Sequence, residues 1–182
     1  MKIILIIGLG NPGPKYEHTR HNIGFRIIDA LAERFAASFI AEERFKSETS
    51  AFDHAETRII LVKPQTFMNN SGEAIGLLKK FFKLKNEDIL VVHDEVDLPL
   101  GKIRLSFDSS SAGHNGVKSV IERIGQDFHR LRVGTDGRQD RTDMDTHDYV
   151  LAKFSPEEDA AVEKKIIPAA IAEIEQKILS RS

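Results

Sequence analysis

The 182-residue sequence contains no cysteine, which excludes disulfides, thiolate zinc sites and a cysteine nucleophile. It has no G-x-S-x-G elbow, and the serines at 109–111 lack a strand-turn-helix setting, so a serine nucleophile has no place to sit. No apolar stretch approaches the length of a membrane span. The opening apolar run, residues 3–7, is too short for a secretory h-region and leads directly into a loop. Neither charge sign dominates: 26 Lys and Arg stand against 28 Asp and Glu, a formal net charge of -2. Any nucleic-acid contact must therefore come from a local basic patch, not from a global field. With 41% apolar and 30% charged residues, the chain reads as one domain spanning 1–182, with no membrane partner. A cytoplasmic compartment fits this composition.

Continuous runs of β-branched residues and Leu at 3–7, 58–63 and 88–93 predict strands buried on both faces, the second ended by Pro64 and the third followed by Asp94. Asn22 is placed as an N-cap before Ile27, Ile28, Leu31 and Phe35 at helical spacing. Residues 40–57 read as a hairpin with Phe45 and Phe52 buried. Residues 71–82 and 115–124 read as helices, 102–107 as an edge or half-exposed strand, and 130–134 as another strand. Ser155-Pro156-Glu157-Glu158 starts a helix that should run to about residue 179 and break or kink near Pro168. Residues 136–147 read as a solvated charged loop. The acidic cluster Asp140, Asp143, Asp145 and Asp148 lacks calcium-loop spacing, so no metal is expected. Strands alternating with helices imply an α/β sandwich around a mixed, mostly parallel sheet. Asn11, Asn69 and Asp94 each follow a buried strand, which puts them at one edge of that sheet, where such folds bind ligands.

The loop after the first strand, residues 8–25, contains a literal G-x-G-x-x-G at Gly8, Gly10 and Gly13. A nucleotide-dependent oxidoreductase does not follow from it. Pro12 and Pro14 have no N–H to offer a pyrophosphate and interrupt the helix that should start there. No acidic residue ends a second strand about 20 residues on, where a ribose would be read.

His21 is the preferred general base, because a neutral imidazole can take a proton from water near neutral pH. Capping of the following helix is the plain alternative. Asp94 shifts the balance, since a carboxylate at a strand end can accept the other ring N–H and stabilise the imidazolium; its own alternative is a turn residue. Asn11, Asn69 and Asn115 would suit a substrate rich in amide and ester carbonyls, or else stabilise turns and cap a helix. Tyr16, Phe67 and Met68 could wall the site or stack on a base, against plain packing, which Met68 favours. His114, in a Gly-flanked loop before a helix, suggests a substrate contact.

Several stretches together resemble bacterial peptidyl-tRNA hydrolase. They are GLGNPG at 8–13, YEHTRHNIG at 16–24, KPQTFMN at 63–69, HDEVDLP at 93–99 and GHNG at 113–116. These five motifs, in order, cover the chain from residue 8 to about 135. The resemblance implies one α/β domain with a mixed sheet flanked by helices. It also implies hydrolysis of the ester between a peptide and the 3′ end of tRNA, by water activated at His21. Within it Asp94 orients His21, asparagine amides hold the peptide and the oxyanion, and the matching Asn11 reads blocked amino groups. No cofactor is implied, and the expected state is a monomer whose partner is peptidyl-tRNA. A non-catalytic RNA-binding relative of the same fold is the alternative, and the presence of both His21 and Asp94 argues against it. Basic residues near the edge are Lys102, Arg104, Lys118, Arg130 and Arg132, of which Arg104, Lys118 and Arg132 are the candidate phosphate contacts. The sequence departs from the family in two places. A usually glycine-rich loop reads Asp108-Ser109-Ser110-Ser111-Ala112, and a usually basic stretch after Gly134 is Asp-rich.

Overall fold

The computed structural model describes residues 1–140 and 144–181. Its pivot is the first strand, β1 (Lys2–Gly8). Side chains alternate across a strand. Here Ile4 and Ile6 enter one apolar core, and Leu5 and Ile7 enter another on the opposite face. The same division recurs in β4 (Thr57–Pro64) and β5 (Ile89–Pro99): Ile59, Leu61, Leu90 and Val92 on one face, Ile60, Val62, Ile89 and Val91 on the other. A strand with no polar face needs a layer of helices on each side. Each fully buried Ile, Leu or Val contributes about 1.5–3 kcal/mol, so these strands carry much of the stability.

The remaining strands are β2 (Ile40–Glu42), β3 (Ser47–His54), β6 (Ile103–Phe107) and β7 (His129–Asp136). All seven form one mixed sheet in the order β2-β3-β4-β1-β5-β7-β6. The four central strands β4, β1, β5 and β7 run parallel, and β3, β2 and β6 add antiparallel pairs at the two edges. One face is covered by α1 (Ile23–Arg34), through Ile27, Ile28 and Leu31, and by the C-terminal helices. The other is covered by α2 (Ser71–Phe82) and α3 (Asn115–Ile124), through Ile75, Leu78, Val117 and Val120.

Three expectations change. β5 does not stop at His93 but continues to Pro99, so Asp94 lies within the strand. Its pairing with β7 carries it on: Asp94 is opposite Val133, whereas β1 ends opposite Val92. Asp94 therefore stands past the end of β1, beyond its last paired residue. Next, the C-terminal helix starts as expected, with a full capping box between Ser155 and Glu158. It runs as α5 (Pro156–Ala161), a π-helical turn (Val162–Ile166) and α6 (Ile167–Lys177). Pro168 has no N–H and its ring would meet a carbonyl one turn back, so the turn before it widens instead of breaking. Finally, the stretch after Gly134 is not simply solvated. Tyr149 of α4 (Thr146–Leu151) donates its hydroxyl to the Thr135 carbonyl at 3.2 Å and accepts the Gly137 N–H at 3.0 Å. Arg138 lies over the Tyr149 ring and bonds to Asp136 at 2.9 Å. Asp145 caps α4 by accepting the His147 N–H at 2.7 Å, while Asp143 lies outside the described residues.

Candidate active site

The parallel strands β1, β4 and β5 bring their C-terminal ends to the same edge, and the loops from β1 and β4 join β5 there. α1 packs directly on the end of β1 because residue 24 is glycine: a Cβ there would lie 2.5 Å from the Val92 carbonyl oxygen and 2.6 Å from that of Leu9. This close approach seats the single 3-10 turn Arg20–Asn22 against the sheet edge.

His21 is buried, and its Nδ1 lies 3.0 and 2.9 Å from the two carboxylate oxygens of Asp94. Nδ1 therefore carries the proton and donates it, and Nε2 keeps its lone pair. Burial alone would lower the His21 pKa; the charge of Asp94 and the hydrogen bond outweigh it and raise the pKa above the ordinary 6.5. Burial would likewise raise the Asp94 pKa, yet the neighbouring imidazoles hold it well below the usual carboxylate range. Asp94 is thus the charged partner, and His21 gives up its second proton only above the ordinary imidazole value.

His114 completes the group. Its Nε2 lies 2.8 Å from Asp94 Oδ1, and its Nδ1 accepts the Val117 N–H at 3.2 Å as the cap of α3. The lone pair at Nδ1 puts the proton on Nε2, pointing at Asp94. Both ring nitrogens are bonded within the protein, one to Asp94 and one to the Val117 N–H, while the ring lines the cavity beside His21. Beneath it lies His93, fully buried, its ring 4.8 Å from that of His114. His93 donates from Nδ1 to the Asp94 carbonyl at 2.7 Å, and burial pushes its pKa well below the ordinary value.

His21, Asp94 and His114 are also the one group of three ligand-type residues found close together among the described residues. Their donor set does not fit a metal ion. His114 would have to give its Nε2 lone pair to the metal while Nδ1 still accepts from Val117, which demands an imidazolate or a broken helix cap. In the arrangement present, the imidazole N–H groups of His21 and His114 join these side chains through Asp94.

Asn11 is held from two sides. Its backbone N–H donates to Asn22 Oδ1 and its carbonyl accepts from Asn22 Nδ2, each at 2.9 Å. Its own Oδ1 accepts the Met68 N–H at 2.8 Å. Its amide donors are left for a ligand. Met68 is buried in the core, as plain packing requires, and only its main chain serves the site. Phe67 is half-exposed at 52%, with φ 62°, a left-handed region disfavoured for a bulky residue, and its ring meets Tyr16 edge-on with centroids 6.4 Å apart. Asn69 is exposed in the 3-10 turn Met68–Asn70. Asn115 lines a cavity of about 330 Å³ together with His21, Asp94, Asp97, His114 and His147.

Of the two neighbours of His21, the sequence read Asn22 only as an N-cap and gave Arg20 no role of its own. Asn22 occupies the N-cap position of α1 but makes no capping bond; its amide goes to Asn11. Arg20 is buried and lies 4.0 Å over the Tyr149 ring. It donates to the carbonyls of Ala152 and Lys153 and to Glu158. The triplet Arg20-His21-Asn22 was the available signal, since three consecutive polar residues at a helix start exceed what one cap needs. Among the basic candidates, Arg104 and Lys118 are exposed, Arg130 is buried, and Arg132 is half-buried and donates to Glu95 at 3.2 Å. Arg132 is thereby tied to the protein, because β5 and β7 are paired neighbours and bring the two side chains together.

The sequence model of the family described as peptidyl-tRNA hydrolase matches residues 5–181. The chain is 48% identical over 159 residues to the peptidyl-tRNA hydrolase of Gloeobacter violaceus, covering 87% of this chain and 79% of that one. It is 45% identical over 173 residues to the one from Wolinella succinogenes, covering 95% and 86%. A crystal structure of peptidyl-tRNA hydrolase from Acinetobacter baumannii superposes with a TM-score of 0.88 at 32% identity, over 98% of this chain and 90% of that one.

Proposed function

The chain belongs to the peptidyl-tRNA hydrolase family, and from that premise we propose how its site cuts the ester joining a peptide to the 3′ end of tRNA. The observation that carries the scheme is the grip of both Asp94 oxygens on His21 Nδ1, at 2.9 and 3.0 Å. It aligns Nε2 as the base. A water between Nε2 and the ester carbonyl loses its proton to His21 as its oxygen attacks the carbon. Asp94 stabilises the imidazolium without taking the proton. The tetrahedral intermediate places negative charge on the former carbonyl oxygen, which we assign to the neutral amides of Asn115 and Asn69; each good donor is worth roughly 3 kcal/mol. On collapse, His21 returns its proton to the departing ribose oxygen. Free tRNA and free peptide leave, and His21 is neutral again.

Asn11 reads the peptide. With Oδ1 engaged by Met68, it presents amide N–H groups, which suit the carbonyl of an N-blocked substrate. A free aminoacyl ester has an ammonium there, which cannot accept a hydrogen bond and costs more to desolvate. Tyr16 and Phe67 offer aromatic faces to the terminal base, and Arg104 and Lys118 are exposed for phosphates. Arg132, held by Glu95, drops out of that set. We read the chain as one domain, since one continuous sheet underlies it, and as a cytoplasmic monomer acting on peptidyl-tRNA. No helix among the described residues is long and apolar enough to cross a membrane.

Hydrolysis of an N-acetyl-aminoacyl-tRNA by the purified protein tests the scheme. Wild type should release acid-soluble amino acid, and His21→Ala should lower turnover by about 10²–10⁴-fold with an unchanged fold. Wild-type turnover in His21→Ala would remove His21 from the mechanism.

A further inference from the structure

We infer that Asn22 is a positioning residue for substrate selection: it fixes Asn11 so that the enzyme distinguishes a blocked from a free amino group. The inference rests on the reading of Asn11 given above. Asn22 is buried and adds two hydrogen bonds to a single residue, one to the N–H of Asn11 and one to its carbonyl, both at 2.9 Å. One side-chain amide here does what a neighbouring strand does for a backbone. Rotation about either backbone torsion of Asn11 would break at least one of the two bonds. The Met68 N–H, at 2.8 Å from Asn11 Oδ1, then fixes the side chain. Backbone and amide are each held, and the donor N–H groups are what remains for a ligand.

Only asparagine meets both demands at this reach. Aspartate keeps an acceptor for the Asn11 N–H but turns a second oxygen toward the Asn11 carbonyl. Serine is too short to serve both atoms. Glutamine is one methylene too long for a buried position flanked by the fixed turn Arg20–Asn22. The chain neighbour of Asn22 is His21, whose Nδ1 is held by Asp94. One turn therefore sets the reader and the base independently: Asn22 through Asn11, His21 through Asp94. Loss of Asn22 should displace Asn11 and leave the His21–Asp94 pair in place.

The test measures kcat/KM for N-acetyl-aminoacyl-tRNA and for the unblocked aminoacyl-tRNA with wild type, Asn22→Asp, Asn22→Ser and Asn11→Ala, together with Tm and the pH profile of each. A displaced reading group costs up to about 100-fold, so both Asn22 variants should lose about that factor on the blocked ester. They should change little on the free one, and the acid limb of the pH profile should stay where it is. Asn11→Ala should narrow the ratio to a similar extent, and adding Asn22→Ser to it should narrow it no further. If Asn11→Ala narrows the ratio and neither Asn22 variant does, the inference about Asn22 is wrong and the reading of Asn11 stands. If no variant narrows it, the reading of Asn11 falls with it. Equal losses on both esters with a moved acid limb would make Asn22 a structural residue of the turn and overturn the proposal.

Discussion

Val117 donates its backbone N–H to Nδ1 of His114, and that bond decides which atom holds the proton between His114 and Asp94. With a lone pair required at Nδ1, the proton sits on Nε2 and is donated to the carboxylate. Asp94 is then a buried anion served by two imidazole N–H donors, and the second exists because a helix begins beside it.

Two substitutions separate the two duties of His114. Asparagine is a good N-cap, so His114→Asn should keep α3 capped and lose only the bond to Asp94. His114→Ala should lose both, with a further drop of about 1 kcal/mol in stability for the cap. Turnover should fall in both variants, and Tm should fall more in His114→Ala. Equal Tm values in the two variants would show that the Val117 bond contributes nothing.

The pH profile follows from the His21–Asp94 pair. The base must be unprotonated, and the Asp94 charge raises the His21 pKa above 6.5, so activity should rise with pH along an acid limb centred above 6.5. In Asp94→Asn the charge is gone and burial alone acts, so turnover should drop and the remaining limb should move to lower pH. Stability runs the other way. A group whose folded pKa is raised stabilises fully below its unfolded pKa, and the contribution fades as pH rises through the folded value. The Tm difference between wild type and His21→Ala should therefore shrink over the same pH range in which activity appears.

Chelation tests the assignment of protons, not a metal ion, to the His21–Asp94–His114 group. EDTA should leave hydrolysis of the blocked substrate unchanged. Activity abolished by EDTA and restored by a divalent ion, in an assay with a tRNA-free ester, would reverse that assignment and direct attention to the acidic loop as well.

Exposed and tied cations should behave differently toward tRNA. Arg104→Ala or Lys118→Ala should weaken binding and reduce the salt slope by about one for each phosphate no longer neutralised. Arg132→Ala should leave the slope alone, because its guanidinium is held by Glu95. Unchanged slopes for Arg104 and Lys118 would place the tRNA elsewhere on the surface.

The parts legible in the sequence were those fixed by local pattern. Helices at 71–82 and 115–124 and the capping box at Ser155 depend on residues a few positions apart, and they fell where expected. The three buried strands showed as continuous apolar runs, and three parallel strands bring Asn11, Asn69 and Asp94 to one edge. What stayed hidden depends on distant partners. Asp94 read as a strand end because nothing near it in sequence reveals that β7 pairs alongside and carries β5 on to Pro99. Asn22 read as a cap because its true partner is 11 residues back. The tie of His114 to Asp94 was hidden because it spans 20 residues. The pairing of Arg132 with Glu95 was hidden because the two meet only through strand pairing.

Arg20, His21 and Asn22 reach three separated parts of the chain: Glu158, Asp94 and Asn11. During synthesis these arrive at different times. Asn11, His21 and Asn22 emerge first, the carboxylate that orients the base comes more than 70 residues later, and the anchor for Arg20 later still. While it is being made, this polypeptide is itself an ester of tRNA, the kind of bond its finished form cuts. An incomplete chain has the base without its carboxylate, or the pair without the Glu158 anchor for the turn that carries it. The partners of this one turn are thus all present only once translation has passed most of the sequence.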